Sequence, residues 1–123
     1  MKLYRVIVPV ESINAAAAYY EALLDRQGRR VSSGRHYLDC EGTILALYSP
    51  REDGDNFDPR PNQEHLYFAV DDLEAVHNRA RGLAAESTDA TIETRPWGER
   101  SFYLRDPYGN PLCMVDRTTV FTG

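Results

Sequence analysis

Val8-Pro9-Val10-Glu11-Ser12-Ile13-Asn14-Ala15 and Phe68-Ala69-Val70-Asp71-Asp72-Leu73-Glu74-Ala75 read as two copies of one pattern, position 8 falling on position 68, a shift of 60. Each copy runs from strand-forming residues through acidic and capping residues into a helical spacing. A second match follows in the same order. Asp39-Cys40-Glu41-Gly42-Thr43-Ile44-Leu45-Ala46-Leu47 falls on Asp106-Pro107-Tyr108-Gly109-Asn110-Pro111-Leu112-Cys113-Met114, a shift of 67. Both shifts are close to half of 123 residues, so the chain reads as a duplicated unit. Identity between the copies is low, and their order and spacing carry the match.

Outward from these anchors, each copy resolves into the same series. Leu3 to Val10 reads as a strand, Ser12 as a helix N-cap, and Ala15 to Leu24 as a helix ended by Gly28. Ala16, Tyr20, Leu23 and Leu24 share one face of it. Val31 to Ser33, Arg35 to Cys40 and Thr43 to Ser49 follow as strands, with turns at Gly34 and at Glu41-Gly42. The second copy opens with a strand over His65 to Val70. Asp71 and Glu74 resemble a capping box, and Leu73, Val76, Ala80 and Leu83 form the apolar stripe of a helix. Residues 87–95 suggest a weak exposed strand, and Ser101 to Arg105 and Pro111 to Asp116 suggest firmer ones. The expectation is therefore an α+β domain over 1–123, with βαβββ modules at 1–49 and 65–119 joined by a solvated loop at 50–64. The spacing of Asp53, Asp55 and Asp58 does not match a Ca²⁺ loop.

Composition removes several function classes. Fourteen Lys and Arg against nineteen Asp and Glu give a net charge of −5. An acidic chain without a basic cluster is poorly suited to nucleic acid or anionic membrane surfaces. The 42% hydrophobic content is that of a folded globular protein. The N-terminus reads directly as a strand, with no signal-peptide core, which predicts a cytoplasmic chain. Cys40 and Cys113 form no CxxC and read as free thiols. No Gly-rich phosphate loop, GxSxG or HExxH occurs.

With these residues in view, the chain resembles the vicinal oxygen chelate superfamily, which holds glyoxalases, extradiol dioxygenases and bleomycin-resistance proteins. The stretch Arg95-Pro96-Trp97-Gly98-Glu99-Arg100-Ser101-Phe102-Tyr103-Leu104-Arg105-Asp106-Pro107-Tyr108-Gly109-Asn110-Pro111 carries most of the resemblance, with His65 to Leu73 as a second signature. It is most similar to the bleomycin-resistance and glyoxalase-like branch. The resemblance implies two βαβββ modules forming a curved, incomplete barrel around a cavity. It also implies that metal-dependent members place ligands on the first and fourth strands of each module. Those positions fall on Arg5, Ala46, His65 and Cys113. A catalytic divalent site needs about three protein ligands. Arg5 is a permanent cation and Ala46 has no donor, so no metal or other cofactor is expected. Zn²⁺ on His65, Cys113 and a residue from elsewhere is the one version these residues leave open.

Strand alternation turns Leu3, Arg5, Ile7, Ala46, Tyr48, His65, Tyr67, Cys113 and Val115 toward the cavity so implied, with Tyr37, Trp97 and Tyr103 as further lining residues. All of these but Leu3 and Val115 form the expected ligand-binding set. Arg5 reads either as an anion-holding group or as a structural arginine. His65 reads either as a ligand anchor or acid/base group, the one catalytic candidate, or as a half-buried imidazole. His36 and His77 read as peripheral, with His77 exposed. The function expected is metal-independent binding of a small aromatic or amphipathic molecule, in a sequestering or carrier role, by a homodimer. The alternative is a glyoxalase-like lyase or isomerase, or a dioxygenase-type enzyme, acting on a small oxygenated substrate. A third reading is an interaction module with a vestigial cavity.

Overall fold

The run after Tyr4 forms strand β1 (Arg5–Pro9), shorter than the expected Leu3 to Val10. The computed structural model describes residues 1–123. It divides into two units, Met1–Asn62 and Gln63–Gly123. In the first unit β1 is followed by helix α1 (Ile13–Leu24) and strands β2 (Arg29–Ser32), β3 (Arg35–Cys40) and β4 (Thr43–Tyr48). The sheet order is β1-β4-β3-β2, with β1 and β4 parallel. Pro9 is tolerated because β1 is an edge strand, where a missing N–H breaks no ladder. Ala16, Tyr20 and Leu23 of α1 are fully buried, as are Val8, Leu38 and Leu47 of the sheet, and together they form the core. Each large apolar side chain buried in this way contributes roughly 1.5–3 kcal/mol. Leu24, expected on the same face, is only half-buried.

Ser12 caps α1 as expected, its side chain accepting from the Ala15 amide at 3.4 Å. The stop differs from the expectation. Asp25, in the left-handed conformation with φ 49°, ends the helix, not Gly28. Gly28 serves a close approach instead. A Cβ there would lie 2.6 Å from His36 Nε2 and 2.8 Å from the Tyr37 carbonyl oxygen. Its amide donates to Glu21 Oε2 at 2.7 Å. Glu41 and Gly42, with φ 53° and 99°, make the tight turn between β3 and β4.

The second unit repeats the series: β5 (Leu66–Val70), α2 (Leu73–Arg81), two short pieces β6 (Ser87–Thr88) and β7 (Glu93–Thr94), then β8 (Arg100–Arg105) and β9 (Pro111–Asp116). A 3-10 turn at Arg117–Thr119 follows. The sheet order is β5-β9-β8-β6, with β7 also on β8. Residues 87–95 thus form two short pieces, not one strand. Between them the Asp89 carboxylate accepts from the Tyr103 amide at 3.0 Å. Asp72, not Asp71, is the N-cap of α2. Glu74 pairs with Arg100 and completes no capping box. Leu83 lies beyond the helix end.

The duplication holds strand by strand. Ile7 pairs with Ala46 and Tyr67 with Cys113; Val8 pairs with Leu47 and Phe68 with Met114. Shifts of 60 on the first strand and 67 on the last therefore carry one register onto the other. Tyr37 opposite Ala46 and Tyr103 opposite Cys113 extend the correspondence to a third strand. The architecture is α+β, two βαβββ modules of two helices and two sheets, with no closed barrel. No helix is long and apolar enough to cross a membrane.

Both histidines expected at the periphery are buried, His36 and His77 each at 7% exposure. His36 bonds Glu21 Oε2 at 3.0 Å. His77 bonds the Asp89 carbonyl at 2.8 Å, with its ring 4.6 Å from Phe102. Position 77 is four residues from Leu73 and three from Ala80, so it belongs to the buried stripe. A stripe drawn only from apolar residues omits it.

Candidate functional site

Each sheet packs one face on its own helix and leaves the other free of it. Side chains opposite one another in register share a face. In the first unit the helix-free face carries Arg5, Ile7, Tyr37, Ala46 and Tyr48. In the second it carries Tyr67, Ala69, Ser101, Tyr103, Cys113 and Val115. Eight of the ten expected residues lie on these two faces, while His65 precedes β5 and Trp97 lies in the turn before β8.

The two faces share one plan. Each has a small residue at the centre of its last strand, Ala46 or Cys113, with a tyrosine beside it, Tyr37 or Tyr103. The group at the start of the first strand meets that tyrosine. Arg5 Nη1 donates to the Tyr37 hydroxyl at 2.9 Å, and Nη2 donates to the Tyr4 hydroxyl at 3.0 Å. His65 instead sets its ring edge-on to Tyr103, centroids 5.0 Å apart, with Tyr67 at 6.3 Å. The two phenols raise the Arg5 pKa further, through hydrogen bonds to Tyr4 and Tyr37. Burial pushes the Tyr103 hydroxyl and the Cys113 thiol up.

These residues do not fit a divalent metal. Arg5 holds phenols with a charge that repels cations, Ala46 offers no donor, and the Cys113 thiol is 1% exposed and held protonated by burial. Nowhere in the chain do three His, Cys, Asp or Glu side chains gather as a metal site.

Residues 95–99 form a turn, with the Arg95 amide donating to the Glu99 carbonyl at 2.7 Å and Gly98 to the Arg95 carbonyl at 2.8 Å. The turn projects Trp97, whose indole N–H donates to Glu99 Oε1 at 2.8 Å. Beyond the last strand, the Phe121 amide donates to Glu99 Oε2 at 2.9 Å. A cleft of about 420 Å³ results, lined among others by Tyr67, Ala69, Val115, Trp97, Glu99 and Phe121. Its rings are only partly covered, Tyr67 at 63%, Trp97 at 48% and Phe121 at 57% exposure.

Of the expected set, Tyr67 and Trp97 line this cleft. Tyr103 and Cys113 share the sheet face that Tyr67 belongs to, and His65 packs against Tyr67 and Tyr103. Arg5, Ile7, Tyr37, Ala46 and Tyr48 lie together on the first sheet, where Tyr48 bonds Asp55 and carries Arg35 over its ring at 4.2 Å. Sequence reading missed Glu99 and Phe121, which join the cleft through contacts distant in sequence. It also missed Arg95, whose guanidinium stacks 4.6 Å from the Tyr103 ring centre and donates to Ser101 Oγ at 2.8 Å. Ala69 was legible, since it is two residues from Tyr67 on one strand.

A family model described as a glyoxalase-like domain matches residues 5–115. Among solved structures, a glyoxalase/bleomycin resistance protein from Albidiferax ferrireducens is 21% identical with a TM-score of 0.76, covering 92% of this chain and 96% of its own. A lactoylglutathione lyase from Agrobacterium tumefaciens is 20% identical with a TM-score of 0.72, covering 98% and 97%. A bleomycin resistance determinant encoded on the transposon Tn5 is 19% identical with a TM-score of 0.69, covering 94% and 98%. At these identities the likeness extends to the fold. No curated protein matches the chain. With its paired βαβββ modules and a family match spanning nearly its whole length, the chain belongs to the glyoxalase-like domain family of the vicinal oxygen chelate superfamily.

Proposed function

We propose that this protein binds a small aromatic or amphipathic molecule without a resident metal, in a sequestering or carrier role. The observation that carries this reading is the cleft on the second sheet. The aromatic residues Tyr67, Trp97 and Phe121 and the Glu99 carboxylate are among the groups that line about 420 Å³ on a sheet face not covered by its helix. That volume falls in the range of small-molecule pockets, roughly 300–1,000 Å³. Stacking on well-placed rings contributes about 0.5–1.5 kcal/mol per pair. The positions where the superfamily resemblance implies metal ligands hold Arg5, Ala46, His65 and Cys113, a set that supports binding over metal-assisted chemistry.

Trp97 is the only tryptophan, so its emission reports on the cleft. The expected result is a saturable change on titration with planar aromatic compounds, lost in Tyr67→Ala. A panel that leaves the emission unchanged counts against the reading. Turnover of a hemithioacetal or a catechol, abolished in His65→Ala, would favour the enzymatic alternative.

A further inference from the structure

We propose that the cleft on the second sheet selects a positively charged aromatic ligand, with Glu99 as the specificity-determining residue. This rests on the binding function proposed above and narrows the class of ligand. Glu99 is half-buried at the cleft wall, and no basic side chain neutralises it. Its partners are two N–H donors, the Trp97 indole at 2.8 Å on Oε1 and the Phe121 amide at 2.9 Å on Oε2. A carboxylate has about four acceptor sites, so two remain for a ligand. The two bonds, one from its own turn and one from the chain beyond the last strand, fix the carboxylate and lower the ordering cost of binding.

The neighbouring cations are occupied elsewhere. Arg95 is held on Tyr103 and Ser101, and Arg100 pairs with Glu74 and Asp116. Glu99 therefore lines the cleft beside the Tyr67, Trp97 and Phe121 rings with no ion-pair partner of its own. Ring faces carry negative potential and attract cations. The Trp97 N–H, donating to a carboxylate, polarises the indole in the same direction. A quaternary or protonated nitrogen attached to a flat ring satisfies both features. A carboxylate-bearing ring would meet Glu99 as a like charge. The net charge of −5 acts in the same sense at longer range.

The test uses the full-length protein and three probes of similar size: 1-methylquinolinium, naphthalene-2-methanol and 2-naphthoate. Calorimetry gives affinities at 20 mM and 500 mM salt, and Trp97 emission confirms the location. The expected result is binding of the cation roughly tenfold tighter than the neutral probe at low salt, with the anion weakest. In Glu99→Gln the cation and neutral probe should agree within about twofold, while the neutral probe is unchanged. Glu93→Gln, removing an exposed carboxylate on β7, should leave the preference intact. High salt should shrink the preference in the native protein, a measurement that needs no variant. Equal affinity for cation and neutral probe overturns the charge selection and leaves the binding function standing. Tighter binding of the anion, or an unaltered preference in Glu99→Gln, also overturns it. Failure of all three probes to bind counts against the binding function itself.

Discussion

The two copies solve one packing problem with different residues. His36 on β3 and Phe102 on β8 occupy equivalent register positions, opposite Leu47 and Met114. The helix position equivalent to His77 is Ala17, both buried. The imidazole thus comes from the strand in one unit and from the helix in the other. A buried imidazole needs a polar partner, which Glu21 supplies in one case and the Asp89 carbonyl in the other. The outer faces diverge more. Arg5 and His65 are equivalents, as are Ala46 and Cys113. Burial raises the Cys113 pKa and leaves the thiol inert. In a Cys40→Ser variant, Cys113 should resist a thiol reagent such as Ellman's at pH 7.5 and react fully only after denaturation. Rapid labelling of the folded variant would contradict this placement.

Helix α1 owes its stability to the sheet beneath it. Alanine-rich segments of 12 residues are marginal as isolated helices, and burial of Tyr20 and Leu23 supplies what propensity does not. Leu23→Ala should cost about 2–5 kcal/mol, read from a shifted urea midpoint. The segment after β4 was expected to be a solvated loop, but its first residues are anchored. Asp53 accepts from Ser32 Oγ, the Gly34 amide at 3.0 Å and Arg35 Nε at 3.1 Å, and Glu52 accepts from the Ile13 amide at 2.8 Å. The Ser32 hydroxyl first, then the Gly34 amide and Arg35, holds the Asp53 carboxyl below its ordinary value despite desolvation. A depressed carboxylate stabilises the fold above its unfolded pKa, and the contribution is lost as pH falls through the folded value. Asp53→Asn should therefore lower Tm at pH 7, and the gap should close as pH drops below about 4. A gap that shows no narrowing as pH falls below about 4 would assign the effect to packing instead.

At the scale of the whole molecule, the sheets present unusual apolar exposure. Ile7 is 47% and Tyr67 63% exposed, both on helix-free faces, and β1 and β5 are sheet edges. Open edges and apolar faces favour association, and we propose a homodimer. Sedimentation velocity should give twice the 14.0 kDa chain mass at micromolar concentration. A monomer throughout would refute it. Protein purified without chelator should hold far less than one equivalent of Zn, Ni, Mn or Fe by elemental analysis. A stoichiometric metal that His65→Ala removes would overturn the metal-independent reading.

The amino-acid sequence by itself determined the duplication, the fold class and the face to which most candidate residues belong. Hydrophobic period and repeat spacing are local properties, and the shifts of 60 and 67 already encoded the strand registers. The first shift even aligned Ser12 with Asp72, the true cap of α2. Tertiary structure alone decided the rest. Gly28 reads as a helix stop until His36 approaches it, and His77 reads as exposed until Phe102 covers it. Glu99 becomes a cleft wall only when Phe121, 22 residues away, closes on it. Such contacts join residues with no periodic relation, so their energy is realised only once the chain has folded.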